Sequence, residues 1–126
     1  MLKALGKAQP WAYQAMRIAA GFLFFCHGLQ KFGLLGGRQV PLMSQVGLAG
    51  VIEVVGGALI AIGVAVSPVA FICSGEMAYA YFTSHMPRGG LPIQNGGELS
   101  VLYCFVFLYI AARGAGIWGV DKRTRV

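Results

Sequence analysis

Four apolar stretches leave this chain little choice of architecture. They cover about residues 16–35, 46–66, 68–86 and 97–114. Each approaches the roughly 20 residues an α-helix needs to cross the hydrocarbon of a bilayer. Charged residues are 11% of the sequence, against about 25% in a soluble domain. Too few charges are present to clothe a water-soluble surface. The expectation is an all-α integral membrane four-helix bundle, a single transmembrane domain over residues 1–126, in contact with the lipid bilayer.

The connections support that division. The segments around 36–44 and 87–95 carry the Gly, Pro and Arg of turns. Ser67 and Pro68 read as a tight link between the second and third stretches, with Pro68 opening the third helix. No A-x-A-like exit follows the first apolar run, so it reads as a span and not as a cleaved signal.

An even number of spans places both termini on one side. That side carries Lys3, Lys7, Arg17, Arg113, Lys122, Arg123 and Arg125, and the other carries Lys31, Arg38 and Arg88. The imbalance predicts cytoplasmic termini in a bacterial inner membrane, by the positive-inside rule. It also accounts for the net charge of +6 without nucleic acid as a partner, because the basic residues form no patch on a polar domain.

This topology gives every polar residue a depth. His27, Gln30 and Lys31 fall in the outer half of the first span, within "GFLFFCHGLQKFG". His27 and Lys31 are four residues apart and share a helix face. Glu53 lies in the outer half of the second span, Glu76 near mid-membrane in the third, His85 at its outer edge, and Asn95 and Glu98 at the outer start of the fourth. A charge within the hydrocarbon costs several kcal/mol unless it is paired or neutral. Convergence of these groups in one polar site, with Glu53 reaching His27 or Lys31, would meet that cost. Arg17 and Arg113 are expected to snorkel toward the cytoplasmic headgroups.

Glu53, His27 and Lys31 are the candidate catalytic residues. Glu98, Glu76, His85, Asn95 and Gln30 are the candidate ligand-binding residues. Equally, buried Glu–Lys and Glu–His pairs can lock helices together and do nothing more. His85 carries a geometric difficulty. It follows Glu76 by nine residues, roughly half a turn out of phase on a straight helix, so the helix must unwind before Pro87 or His85 must face elsewhere.

Other features read as packing. Cys26, Cys73 and Cys104 fall in separate apolar stretches and form no CxxC. Gly47, Gly50, Gly56 and Gly57 surround Glu53 on a face suited to close helix contact. Trp11 and Trp118 suit anchors at the cytoplasmic interface. Tyr79 and Tyr103 suit the wall of an internal pocket. A weak repeat sets His27 and Glu53 against His85 and Glu98 in two hairpins.

The segments "RIAAGFLFFCHGLQKFG", "GVIEVVGGALIAIG" and "AYFTSHMPRGGLPIQNGGELSVLYCFVFLYIAARGAGIWGVD" resemble the DoxX family of small bacterial membrane proteins. His27, Gly28 and Lys31 match its His-Gly-x-x-Lys, and Glu53, Gly56 and Gly57 match its Glu-x-x-Gly-Gly. His85, Pro87, Asn95, Gly96, Gly97 and Glu98, with Gly114, Gly116 and Asp121, match its later motifs, although "WGVD" departs where Ser is expected before the Asp. The resemblance implies a four-helix inner-membrane protein associated with oxidoreductase complexes.

The expectation is a redox-associated membrane subunit binding a quinone-like or other small amphipathic ligand. Glu53 and His27 would handle protons, and Lys31 would stabilise negative charge. No flavin or iron–sulfur motif is present, so electrons would come from a partner membrane or redox protein, or from a thiol donor. Two lone histidines, His27 and His85, at unequal depth are a poor haem site. Two readings stand beside this one: a non-enzymatic accessory or assembly subunit of a larger membrane complex, and a His/Glu metal or small-solute site. Self-association into a homo-oligomer is open under each.

Overall fold

The computed structural model describes residues 1–121, so Lys122, Arg123 and Arg125 of the charge imbalance lie outside the described residues. Every regular element described is helical. The long helices are α2 (Gln9–Gln30), α3 (Gln45–Ile62), α4 (Val66–Ala80) and α6 (Glu98–Arg113). Two short helices, α1 (Leu2–Lys7) and α5 (Pro92–Asn95), flank them. Helix α2 begins before the expected residue 16, since Pro10 sits in its first turn, where the missing N–H costs nothing.

Local chemistry sets the ends of α2 and α3. The Gly33 N–H donates to the Gln30 carbonyl and the Leu34 N–H to the Leu29 carbonyl, with Gly33 left-handed at φ 82°. That is a Schellman stop. It ends the helix short of residue 35 and leaves Lys31 at the rim. Ser44 caps α3 by accepting from the Gly47 N–H at 3.0 Å. The link to α4 is not Ser67-Pro68. The turn lies at 63–65, where Gly63 and Ala65 are both left-handed, and Ser67 and Pro68 already belong to α4.

Helix α2 lies along α3, and α4 along α6, with α3 and α4 joining the two pairs. Glycines make the first seam possible. A Cβ at Gly57 would lie 2.5 Å from the Phe25 backbone nitrogen, and one at Gly21 2.7 Å from that of Ala61. Gly56 faces α4 instead, against the Cys73 sulfur. In the second seam the Ser74 hydroxyl donates to the Cys104 carbonyl at 2.7 Å. Phe24, Ile60, Val66, Cys73, Phe107 and Ile110 form the sealed centre.

The outside of the helices is apolar. Phe22, Phe71, Ile72, Leu102 and Phe105 are each more than half exposed, whereas Gln14, Arg17 and Glu53 are almost wholly buried. Helix α3 is long and apolar enough to cross a membrane.

The end of the molecule that holds the 63–65 turn is stitched by hydrogen bonds. Arg17 does not snorkel. It is 1% exposed and donates to the carbonyls of Ile60, Ala61 and Trp118 and to Gln14 Oε1. It thereby satisfies carbonyls that the end of α3 would otherwise leave orphaned, and its charge complements the helix dipole there. Asp121 then accepts from the N–H groups of Ala65 and Val66, both at 2.9 Å, at the start of α4. Trp11 and Trp118 meet edge to face beside this clamp.

Candidate functional site

The opposite end contains a cavity of about 620 Å³, lined by all four long helices. Helix α2 contributes Phe24 and His27, the residue just past its end contributes Lys31, and α3 contributes Ala49, Ile52 and Glu53. Helix α4 and the turn after it contribute Glu76, Tyr79 and His85, and α6 contributes Leu99, Ser100 and Tyr103. The wall is mostly apolar and aromatic, with charged groups gathered at one place.

That place is built around Glu53. Its carboxylate is 2% exposed and accepts from Lys31 Nζ at 2.7 Å. Lys31 can reach it because the Schellman stop leaves its stem lying along α3, close to Gly50. Glu76 comes from the other side, with its carboxyl group within hydrogen-bonding reach of Glu53. Its Oε1 is buried without a hydrogen-bond partner among the described residues. One cation therefore serves two carboxyl groups. His27 stands beside them, edge-on to the Tyr103 ring at 5.9 Å.

His85 also lines the cavity, and the helix achieves this by widening. Tyr81–His85 forms a π-helical turn continuing α4. The extra residue in that turn shifts the phase by roughly a quarter turn or more and brings His85 back toward the Glu76 face. Its Nδ1 lies 3.4 Å from the Asn95 carbonyl, and its ring stacks on Tyr81. Pi-helical turns recur at functional sites. The phase conflict between Glu76 and His85 was the one trace of it in the sequence.

Three candidates stand away from the cavity wall. Gln30 is exposed and reaches the Leu35 carbonyl at 3.4 Å. Glu98 is exposed in the first turn of α6, where its charge suits the helix dipole. Asn95 is buried but engaged in bracing its own loop. Its amide donates to Gly89 O and Tyr81 Oη, both at 3.1 Å, and its oxygen accepts from the Gly97 N–H at 2.9 Å. With Glu98 outside, the expected repeat does not extend to the site, and the second carboxyl group comes from Glu76. Among the described residues no group of three His, Cys, Asp or Glu side chains could hold a metal ion.

A helical protein with an apolar exterior and a half-buried ion pair at the wall of an internal cavity is the class these features define. The chain belongs to the DoxX family, whose model matches residues 12–86. That match takes in His27, Lys31, Glu53, Glu76 and His85, and stops before Asn95 and Glu98. The chain is similar to a protein of Haemophilus influenzae described as uncharacterized, with 39% identity over 94% of this chain and 95% of that protein. No solved structure matches.

Proposed function

We propose that the chain is a multi-pass inner-membrane protein whose α2, α3, α4 and α6 form a four-helix bundle with both termini in the cytoplasm. We further propose that its cavity binds a quinone-like or other small amphipathic ligand as part of a membrane redox process. The observation carrying this reading is the Lys31–Glu53–Glu76 cluster set into a largely apolar cavity of about 620 Å³. Ligand sites of this kind pair an apolar wall with a few convergent polar groups. Ionisable residues within a membrane face an enclosed site or a pathway.

The chemistry assigned to the residues follows from their positions. Tyr103, Phe24 and Ile52 offer an apolar face to a ring or chain. Lys31 and the carboxyl groups offer hydrogen bonds and protons to oxygen atoms at its head. His27, free of hydrogen-bond partners among the described residues, stands within the same wall. Electrons would come from a partner protein or a thiol donor. Proton exchange at the head group is the chain's own contribution.

The test is to purify the protein in mild detergent, extract it with organic solvent, and identify what co-purifies by mass spectrometry. A stoichiometric lipid-soluble quinone or similar amphiphile supports the reading. A stoichiometric large protein partner with the cavity unfilled supports an accessory role instead. Labelling of an Arg38→Cys variant from outside intact cells tests the orientation, and protection of that cysteine contradicts it.

A further inference from the structure

The sequence directs attention to Glu53 as the proton-handling carboxylate, but the geometry separates the two acids differently. We infer that Glu76, and not Glu53, is the group that gains and loses the proton in this cavity. The inference rests on the reading of the cavity as a ligand site and names the residue that acts there.

Three observations carry it. Glu53 is committed, because Lys31 Nζ donates to its Oε1 at 2.7 Å and the side chain is 2% exposed. An ammonium so close favours the charged form of a carboxyl group over the neutral one. Glu76 lies against that carboxylate, within hydrogen-bonding reach. Two carboxyl groups in such contact bridge favourably when one of them holds a proton. Finally, Glu76 Oε1 has no hydrogen-bond partner among the described residues, yet Glu76 lines the cavity. Among the described residues no ammonium or guanidinium stands within ion-pair distance of Glu76, so of the two acids it is the one without a cation of its own.

The surroundings fit exchange at that position. His27 on α2, Lys31 just past its end, Glu53 on α3, Tyr79 on α4, His85 beyond α4 and Tyr103 on α6 are the titratable groups that share the cavity with Glu76. Cys73 stands one turn earlier on Glu76's own helix. When Glu76 gives its proton to a ligand oxygen, its O–H bond breaks and an O–H bond forms on the ligand. The negative charge moves to Glu76, and Lys31 then serves two carboxylates. The reverse transfer restores the bridge. Because the doubly ionised cluster costs more, the ligand's departure favours the return of a proton to Glu76.

A hydrophobic carbodiimide tests this on the wild-type protein in liposomes. Such a reagent adds to protonated carboxyl groups in apolar surroundings and leaves ionised ones alone. Peptide mapping by mass spectrometry should find one adduct, on Glu76, declining at least tenfold as the pH is raised, and absent from Glu76→Gln. An adduct on Glu53 with Glu76 unmodified, or no adduct on either, overturns the inference. The outcome is independent of the ligand's identity. Labelling at Glu76 without any co-purifying amphiphile leaves the proton group standing and removes the quinone-like ligand. A bound amphiphile with labelling at Glu53 does the opposite.

Discussion

The two ends of the helix stack bury charge in contrasting ways. At the 63–65 turn, Arg17 is spent on the carbonyls of Ile60, Ala61 and Trp118, and Asp121 on the N–H groups of Ala65 and Val66. These charges close off backbone groups that the ends of α3 and α4 would otherwise leave open. At the other end, Lys31, Glu53 and Glu76 gather at the wall of a cavity, and the ion pair there engages side chains and no backbone group. The first arrangement is a stability device. The second contributes little to folding that apolar side chains could not supply, which points to a purpose other than folding.

If that contrast holds, substitutions at the turn end cost most. Arg17→Met removes the donor from three carbonyls at once. It should destabilise the protein by about 3 kcal/mol, since each buried group left unpaired costs about 1–3 kcal/mol. Unfolding by SDS titration in mixed micelles measures this directly, and a loss below about 1 kcal/mol would remove the distinction between the ends.

The α2–α3 seam should be nearly as sensitive. Gly57→Ala places a methyl 2.5 Å from the Phe25 backbone nitrogen and 2.6 Å from the Gly21 carbonyl oxygen, and neither can move independently of its helix. Overpacking of this sort costs about 1–3 kcal/mol. Gly75→Ala is the control, because nothing lies within 4 Å of the added Cβ. It should be neutral, or stabilising by up to about 1 kcal/mol. The same titration compares the two.

Asp121→Ala loses the cap on α4 and should cost about 1–2 kcal/mol. Its effect should be partly shared with Arg17→Met, because both residues hold the segment 118–121 against the turn. A double-mutant cycle reads that coupling, and strict additivity would mean that the clamp does not act as a unit.

Glu53→Gln should change stability less, by about 1 kcal/mol or under, because the amide oxygen still accepts from Lys31 and Lys31 is 27% exposed and free to reach water or headgroups. Function should be lost, because an amide cannot hold the charge that keeps the cluster balanced. Complementation of a deletion strain under oxidative or sulfur stress measures this, and full rescue would return the Lys31–Glu53 pair to a packing role.

The helices and the Lys31–Glu53 meeting were legible in the sequence because they depend on period and depth. Long apolar runs give helices, and a buried acid and base at matching depth find each other. The clamp was not legible. Arg17 near a helix end has the sequence signature of a snorkelling residue, and only the approach of 118–121 to the turn changes its role. Asn95 and Glu98 read as site residues because they share the outer depth of the other polar groups. The loop's own hydrogen bonds and the start of α6 place them elsewhere. Glu76 reads as one acid among three until the structure sets it beside a Glu53 already paired.

The stability of Glu76→Gln tests the contrast between the ends most directly. An amide at this position can donate to the Glu53 carboxylate and carries no charge to desolvate. Chemical unfolding in detergent should therefore find Glu76→Gln as stable as the wild type or more so, while Arg17→Met is strongly destabilised. A loss for Glu76→Gln as large as that for Arg17→Met would show that both ends bury charge for folding, and would contradict the account.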